Sequence, residues 1–217
     1  MQAVQLAGHR SLADAAYLAL RDRLVMLDIA PGAPIGDEQL AVALGMGRTP
    51  VREALKRLES ERLVVAYPRR GTFATEVNIT DLADISEVRR HLEPVAAAAA
   101  ATRAEAGDRT ELGGLLAGFG PDRAGAAPGE LMRLDLRVHR AIYAATHNPF
   151  LEDTLIRYDN LATRIWCLFA PRLPGLAGHV SEHGPLLQAI LDGDADLAAD
   201  LAGRHVRHFE QAVRAAL

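Results

Sequence analysis

Apolar residues fall at helical intervals through the first sixty positions of the chain. Leu12, Ala16, Leu20, Leu24 and Leu27 follow Ser11, a residue suited to capping a helix, and the run stops at Ala30-Pro31-Gly32. Asp37 can cap a short second helix with Leu40, Ala41 and Leu44 facing inward, and Gly45 can end it in the left-handed conformation open to glycine. Thr49-Pro50 then reads as an N-cap and first-turn proline, with Val51, Ala54, Leu55 and Leu58 as the buried stripe of a third helix. Two helices joined by a tight glycine-containing turn form the helix-turn-helix pattern. The period then changes: Leu63 to Tyr67 and Thr72 to Thr75 are short β-prone runs around Pro68-Arg69-Arg70-Gly71, which predicts a hairpin wing with a basic tip.

From Glu76 onward the helical period takes over. Glu76 to Asn78 read as a connector, and Thr80, with Asp81 and Asp84 in the first turn, starts a long helix. Breaks at Gly107-Asp108, Gly120 to Gly129, Asn148-Pro149, Pro171 to Gly178 and Gly193-Asp194 divide the remainder into about six helices without a strand candidate. Pro94 should kink the long helix or mark a boundary within it, and the alanines after it would let neighbouring helices approach closely. The expected fold is therefore mainly α: a winged helix-turn-helix over 1–75, a linker over 76–80, and an all-helical bundle over 81–217.

Composition sharpens this division. At 217 residues, with 49% apolar and 24% charged residues, the chain can bury two small cores. A net charge of −4 speaks weakly against nucleic acid, but its distribution does not. Residues 1–75 carry ten Lys/Arg against eight Asp/Glu, and the remainder carries fourteen against twenty. Between Gly47 and Arg70 seven basic residues meet three acidic ones, the clustering expected where phosphates dock. The lone Cys167 offers no intramolecular disulfide, the first thirty residues lack the apolar core of a signal peptide, and the Ala96 to Ala101 run is too short to span a bilayer. A cytoplasmic protein without membrane contact is expected.

The third helix leaves Arg52, Lys56 and Arg57 off its apolar stripe, with Arg48 just before its first turn. Near a helix N-terminus these side chains can combine phosphate positioning with contact to base edges in a major groove. An isolated helix of this kind could equally be a solvated charged face. Paired arginines at a hairpin tip have no structural necessity, however, and contact with DNA backbone or minor groove accounts for Arg69, Arg70 and Gly71. The run Arg48-Thr49-Pro50-Val51-Arg52-Glu53-Ala54-Leu55, with Leu40-Ala41, Leu44-Gly45, Arg57-Leu58-Glu59 and Pro68-Arg69-Arg70-Gly71 around it, resembles the DNA-binding domain of the GntR family over about 65 residues. The resemblance implies that Arg48 and Arg52 contact operator bases or phosphates and that Gly71 enters the minor groove, with Thr49, Lys56, Arg69 and Arg70 beside them. Two positions depart from the family: Gly47 replaces the usual Ser or Thr, and Glu38 stands where some relatives carry arginine.

In the helical half, Asp135 and His139 are four residues apart and project from one helix face, as two ligands of one cation must. His183 and His205 come from two later helices. One carboxylate and three imidazoles suit zinc, nickel or manganese, although a histidine taken singly is more often a satisfied core or surface residue than a ligand. His179 precedes His183 by four residues and His208 follows His205 by three, so exchange of ligands is conceivable. The pattern Asp135-x-x-x-His139, Asn148-Pro149-Phe150-Leu151, Glu182-His183, Gly193-Asp194 and His205 resembles the FadR-type effector domain of the same family. That resemblance implies a divalent ion, zinc first, held by Asp135, His139, His183 and His205. Arg89, in a segment resembling that domain's first helix, is the candidate partner for an effector carboxylate.

The expectation is thus a homodimeric regulator, with repression the expected sign, that binds a palindromic duplex operator and senses a small organic or sugar acid. A metal-dependent hydrolase is the competing class. It lacks a placed general base, because Glu182 on a helix would point about 100° away from His183. A DNA-binding protein with a purely structural helical domain is the third.

Overall fold

The computed structural model describes residues 11–119, 126–170 and 175–216, in two compact units, Met1–Val77 and Asn78–Leu217. In the first unit, α1 (Leu12–Val25) opens with a reciprocal cap: the Ser11 hydroxyl accepts from the Asp14 amide at 3.1 Å, and the Asp14 carboxylate accepts from the Ser11 amide at 3.2 Å. The helix stops short of the periodic pattern. Leu27 lies beyond it with φ of 59°, and Leu12 is 51% exposed, so the inward stripe is Ala16, Tyr17, Leu20, Leu24 and Val25.

The two-residue strand β1 (Pro34–Ile35) leads into α2 (Asp37–Leu44). Gly36 occupies the N-cap position and Asp37 is already helical, with no capping bond of its own, so its carboxylate is available for other partners. Gly45, at φ of 65°, ends α2 as expected. Helix α3 (Arg48–Ser60) is capped by Gly47 and not by Thr49, and so begins earlier than its side chains suggest. Pro50 still lies in the first turn, where a missing amide removes no intrahelical hydrogen bond. Val51, Ala54, Leu55 and Leu58 are buried, and α1 packs across them.

Strands β2 (Val64–Tyr67) and β3 (Gly71–Ala74) form the wing, with Tyr67 opposite Gly71 and Val64 opposite Ala74. The turn places Arg69 at φ of 62° and Gly71 at 95°. Strand β1 pairs with the other edge of β3, giving a three-stranded antiparallel sheet in the order β1-β3-β2.

Among the described residues the second unit is helical throughout. A 3₁₀ turn at Ile79–Asp81 is capped by Asn78, whose side chain accepts from the Thr80 amide, in place of the expected cap at Thr80. Then follow α4 (Leu82–Arg103), α5 (Ala106–Ala117), α6 (Pro128–Ala144), α7 (Pro149–Phe169), α8 (Leu176–Ser181), α9 (His183–Asp192) and α10 (Ala195–Ala215). The additional helix relative to the sequence reading comes from a corner at Glu182 that separates α8 from α9. Pro94 does not divide α4. The first break falls at Ala104-Glu105, where Glu105 and Asp108 make a reciprocal cap, and the breaks at Asn148 and Gly193-Asp194 fall as the sequence indicates. Parts of the breaks at 120–129 and 171–178 lie outside the described residues.

Helices α4 and α10 pack closely, since a methyl group added at Gly203 would lie 3.5 Å from the Pro94 ring. The buried Ala96, Ala97, Ala100 and Ala101 permit that approach. Pro185 sits in the first turn of α9, which His183 begins, so the Gly184-Pro185 pair does not displace His183 from the core.

Candidate nucleic-acid interface and metal centre

On α3, Arg48, Thr49, Arg52 and Lys56 are exposed, as are Arg69, Arg70 and Gly71 at the wing tip. Arg48 and Arg52 share one carboxylate. Arg52 Nε donates to Asp37 Oδ2 at 2.5 Å, and Arg48 Nη2 approaches the two Asp37 oxygens at 3.2 and 3.3 Å. The bond from Arg52, reinforced by Arg48, holds the Asp37 carboxyl below its ordinary pKa. Arg57 serves a different purpose. Its guanidinium lies 3.7 Å from the centre of the Tyr17 ring and pairs with Asp14 and Glu61, which ties α3 to α1. At the wing, the left-handed φ of Gly71 calls for glycine, and nothing lies within 4 Å of where a Cβ would stand. That leaves an open, small, basic tip.

In the second unit, three helices, α6, α9 and α10, bring Asp135, His139, His183 and His205 together, with one ligand-capable atom from each lying within 4.8 Å of the others. All four are buried. What fixes them is the far side of each imidazole ring. His183 Nδ1 donates to the Val180 carbonyl at 3.0 Å, and His205 Nδ1 donates to Glu182 Oε2 at the same distance. His139 Nδ1 lies 3.1 Å from the Tyr143 hydroxyl, which in turn donates to Glu93 Oε1 at 2.6 Å. With the Nδ1 atoms occupied, the Nε2 lone pairs are the ones left to converge, and His139 Nε2 stands 3.3 Å from His183 Nε2.

Two lone pairs at that distance repel unless a proton or a cation stands between them. Asp135 Oδ1 is buried without a hydrogen bond, and its oxygens lie 3.7 and 3.9 Å from the rings of His183 and His139. Burial holds His183 neutral, with its pKa pushed down to about 3, and drives His205 well below the ordinary range, so both present unprotonated nitrogen. At His139 burial also opposes charge, but Asp159 and Glu93 outweigh it and lift the pKa to about 9. The carboxylates therefore demand positive charge at the centre of the cluster. The donor set and its outer hydrogen bonds fit a divalent cation.

Arg89 is buried at 3% exposure, on the wall of a small cavity beside the cluster. Its guanidinium meets Glu93 Oε1 through Nε at 2.9 Å and Nη2 at 2.8 Å, and lies 3.3 Å from Asp159 Oδ1. Burial opposes ionisation of Glu93, but Arg89 and His139 hold its carboxyl well below the usual range. Burial pushes the Asp159 carboxyl upward. Aromatic rings line the rest of the cavity: Trp166 stacks on Phe209 at 5.0 Å, and His179 lies 4.5 Å from Trp166 and 4.0 Å from His205.

Sequence reasoning missed Tyr143, Asp159 and the supporting role of Glu182. Glu182, at the α8–α9 corner, clamps His205 and also accepts from His208 Nδ1 at 2.8 Å. The Arg89-Glu93 spacing of four could have indicated an internal ion pair; Asp159 left no comparable signal.

Comparison with known proteins gives this arrangement its context. Residues 12–74 match the bacterial regulatory proteins of the gntR family, and residues 84–208 match the FCD domain. An HTH-type transcriptional regulator from an unstable DNA locus of Streptomyces ambofaciens is 30% identical over 206 residues, covering 88% of this chain and 80% of its own. The Nta operon transcriptional regulator of Aminobacter aminovorans is 29% identical over 185 residues, covering 83% and 85%. Among solved structures, E. coli McbR/YncC shares the fold with a TM-score of 0.80 at 24% identity, covering 95% of this chain and 98% of its own. No described helix is long and apolar enough to cross a membrane. A basic winged helix-turn-helix joined to a His/Asp-centred helical domain, with relatives of this kind over most of its length, makes the chain a member of the GntR family of transcriptional regulators with an FCD domain, and not an enzyme.

Proposed function

We propose that the chain acts in the cytoplasm as a homodimeric, metal-dependent repressor. Its two α3 helices and wings read a palindromic operator, and its helical domain senses a small carboxylate metabolite. Arg48, Thr49, Arg52 and Lys56 face the major groove in this reading, and Arg69, Arg70 and Gly71 meet the backbone or minor groove. Asp135, His139, His183 and His205 hold a divalent ion, zinc first, with nickel or manganese as alternatives. The ion supplies positive charge and open coordination positions for a carboxylate. Tyr143, Glu93, the Val180 carbonyl and Glu182 orient the three imidazoles toward it. Arg89, flanked by two acids, contributes the cation that balances Glu93 and Asp159 at the cavity wall. Effector binding switches DNA affinity only to the extent that it favours one of two dimer states.

The observation that carries the reading is the convergence of the buried histidines, each with its Nδ1 already engaged, on Asp135. Metal analysis tests it. Purified protein is expected to retain about one equivalent of zinc per chain, and His139→Ala to lose it, with affinity reduced at least about 100-fold if one of four ligands is removed. Equal and negligible metal in both proteins would instead favour a purely structural helical domain.

A further inference from the structure

Asp159 is the carboxylate of the effector cavity left unsatisfied at both oxygens; Asp135 Oδ1, Trp166 Nε1 and His179 Nδ1, in the same lining, also lack a hydrogen-bond partner among the described residues. It projects from α7, is 1% exposed, lines the cavity, and neither of its oxygens accepts a hydrogen bond from the described residues. The nearest guanidinium, that of Arg89, is 3.3 Å from Oδ1 but directs Nε and Nη2 to Glu93. Buried carboxylate oxygens without donors are rare in folded proteins because desolvation without replacement bonds is costly. A cavity bordered by such a group calls for a ligand that donates hydrogen bonds.

Charge selects among donors. Among the residues that line the cavity or bond directly to its lining, the acids are Glu93, Asp135 and Asp159 and the permanent cation is Arg89; Arg164, the other buried arginine of this unit, does not line it. With neutral histidines and one divalent ion, these charges balance before any effector enters. Glu182 does not line the cavity, is part exposed, and is engaged by His205 and His208. A simple carboxylate would therefore add an unmatched buried negative charge, whereas a zwitterion adds none. Building on the metal-centred sensor proposed above, we infer that the effector is a small amino-carboxylate, its carboxylate directed to the metal centre and its ammonium to Asp159. Trp166, His179 and Phe209 then enclose the carbon skeleton, and the Thr163 hydroxyl, one helical turn from Asp159, borders the same space.

The test uses the full chain carrying one equivalent of zinc, dialysed free of excess ion. Zinc content is measured before any acid is added, so loss of the metal site registers separately and overturns both readings. Two matched series are then titrated by calorimetry and thermal shift: alanine, lactate and propionate, and aspartate, malate and succinate. In at least one series the amino member is expected to bind about tenfold more tightly than the hydroxy and unsubstituted members. Because amino and hydroxy acids can chelate zinc themselves, Asp159→Asn supplies the discriminating comparison. It should reduce that preference to within about threefold while zinc stoichiometry stays unchanged. Zinc-loaded protein that binds the hydroxy or unsubstituted acid equally well, or separates neither series, overturns the inference. So does a preference that survives in the variant, or a loss of zinc from it, which would make Asp159 a metal ligand beside Glu93 and His139. If the variant does not fold, the wild-type series alone decides.

Discussion

The two units place arginine beside carboxylate in opposite environments. In the DNA-reading unit, the side chains of Arg48 and Arg52 are 50% and 61% exposed and share Asp37. In the helical unit, Arg89 and its partners Glu93 and Asp159 are buried. An exposed pair gains little from contact, because water and salt already screen each charge, so it can be exchanged for a phosphate at small cost. A buried pair has surrendered its hydration and has nothing to exchange with. The same chemistry thus serves as a replaceable contact in one unit and as fixed scaffolding in the other.

The largest expected effect tests the scaffolding. Glu93→Ala leaves Arg89 buried with only Asp159 beside it and removes the acceptor that orients Tyr143 behind His139. Breaking a buried pair from one side costs about 3–5 kcal/mol. Trp166, the chain's one tryptophan, is buried beside the site, so its fluorescence during urea denaturation of metal-free protein reports the helical unit. A loss below about 1 kcal/mol would place Arg89 and Glu93 in the surface class of ion pair and erase the contrast between the units.

Next comes Arg52→Ala. A specific arginine contact to a base is worth about 1–3 kcal/mol, so each half-site should lose roughly 10- to 100-fold in affinity, and a dimer more. Arg52 is exposed and its ion pair with Asp37 lies at the surface, so the melting temperature should hardly move. Operator affinity in a gel-shift titration that matches wild type would remove Arg52 from the interface.

What the sequence disclosed and what it withheld divide along similar physical lines. The buried stripes of α1 and α3 and the Asp135-His139 pair were legible because each is a periodicity within one helix, and the wing because Arg69 to Gly71 is a local turn signal. The N-cap at Gly47 was not legible, since a glycine caps by backbone conformation alone and competes poorly on paper with a threonine two positions on. Strand β1 has two residues, too few to show a period. Leu27 continues the spacing of α1 but lies past its end, because the chain turns there toward β1. Within the network of Arg89, Glu93, Tyr143, Asp159 and Glu182, the Arg89-Glu93 pair has a helical spacing; the other encounters join different helices and the α8–α9 corner, and no spacing along the chain encodes them. Composition tells that a charged residue exists, but only packing tells whether it keeps its water.

The smallest effect bears most directly on the exchangeable half of the comparison. In the free protein the Asp37 carboxylate engages Arg48 and Arg52; in the proposed DNA-bound arrangement a phosphate or base edge takes that place and displaces it. That competition weakens every complex that uses the two arginines by a similar amount, operator and random alike. Asp37→Asn keeps the side chain's size and removes its charge, so it should tighten binding to both duplexes by about two- to fivefold and leave the specificity ratio nearly unchanged. Stability should change by no more than about 1 kcal/mol, since the pair lies at the surface. Anisotropy titrations at two salt concentrations measure both affinities, and the salt dependence on random DNA should steepen as an additional arginine becomes free to neutralise a phosphate. If the variant lowers operator affinity and leaves random binding unchanged, Asp37 orients the arginines instead of competing for them, and the exposed pair would be scaffolding as well.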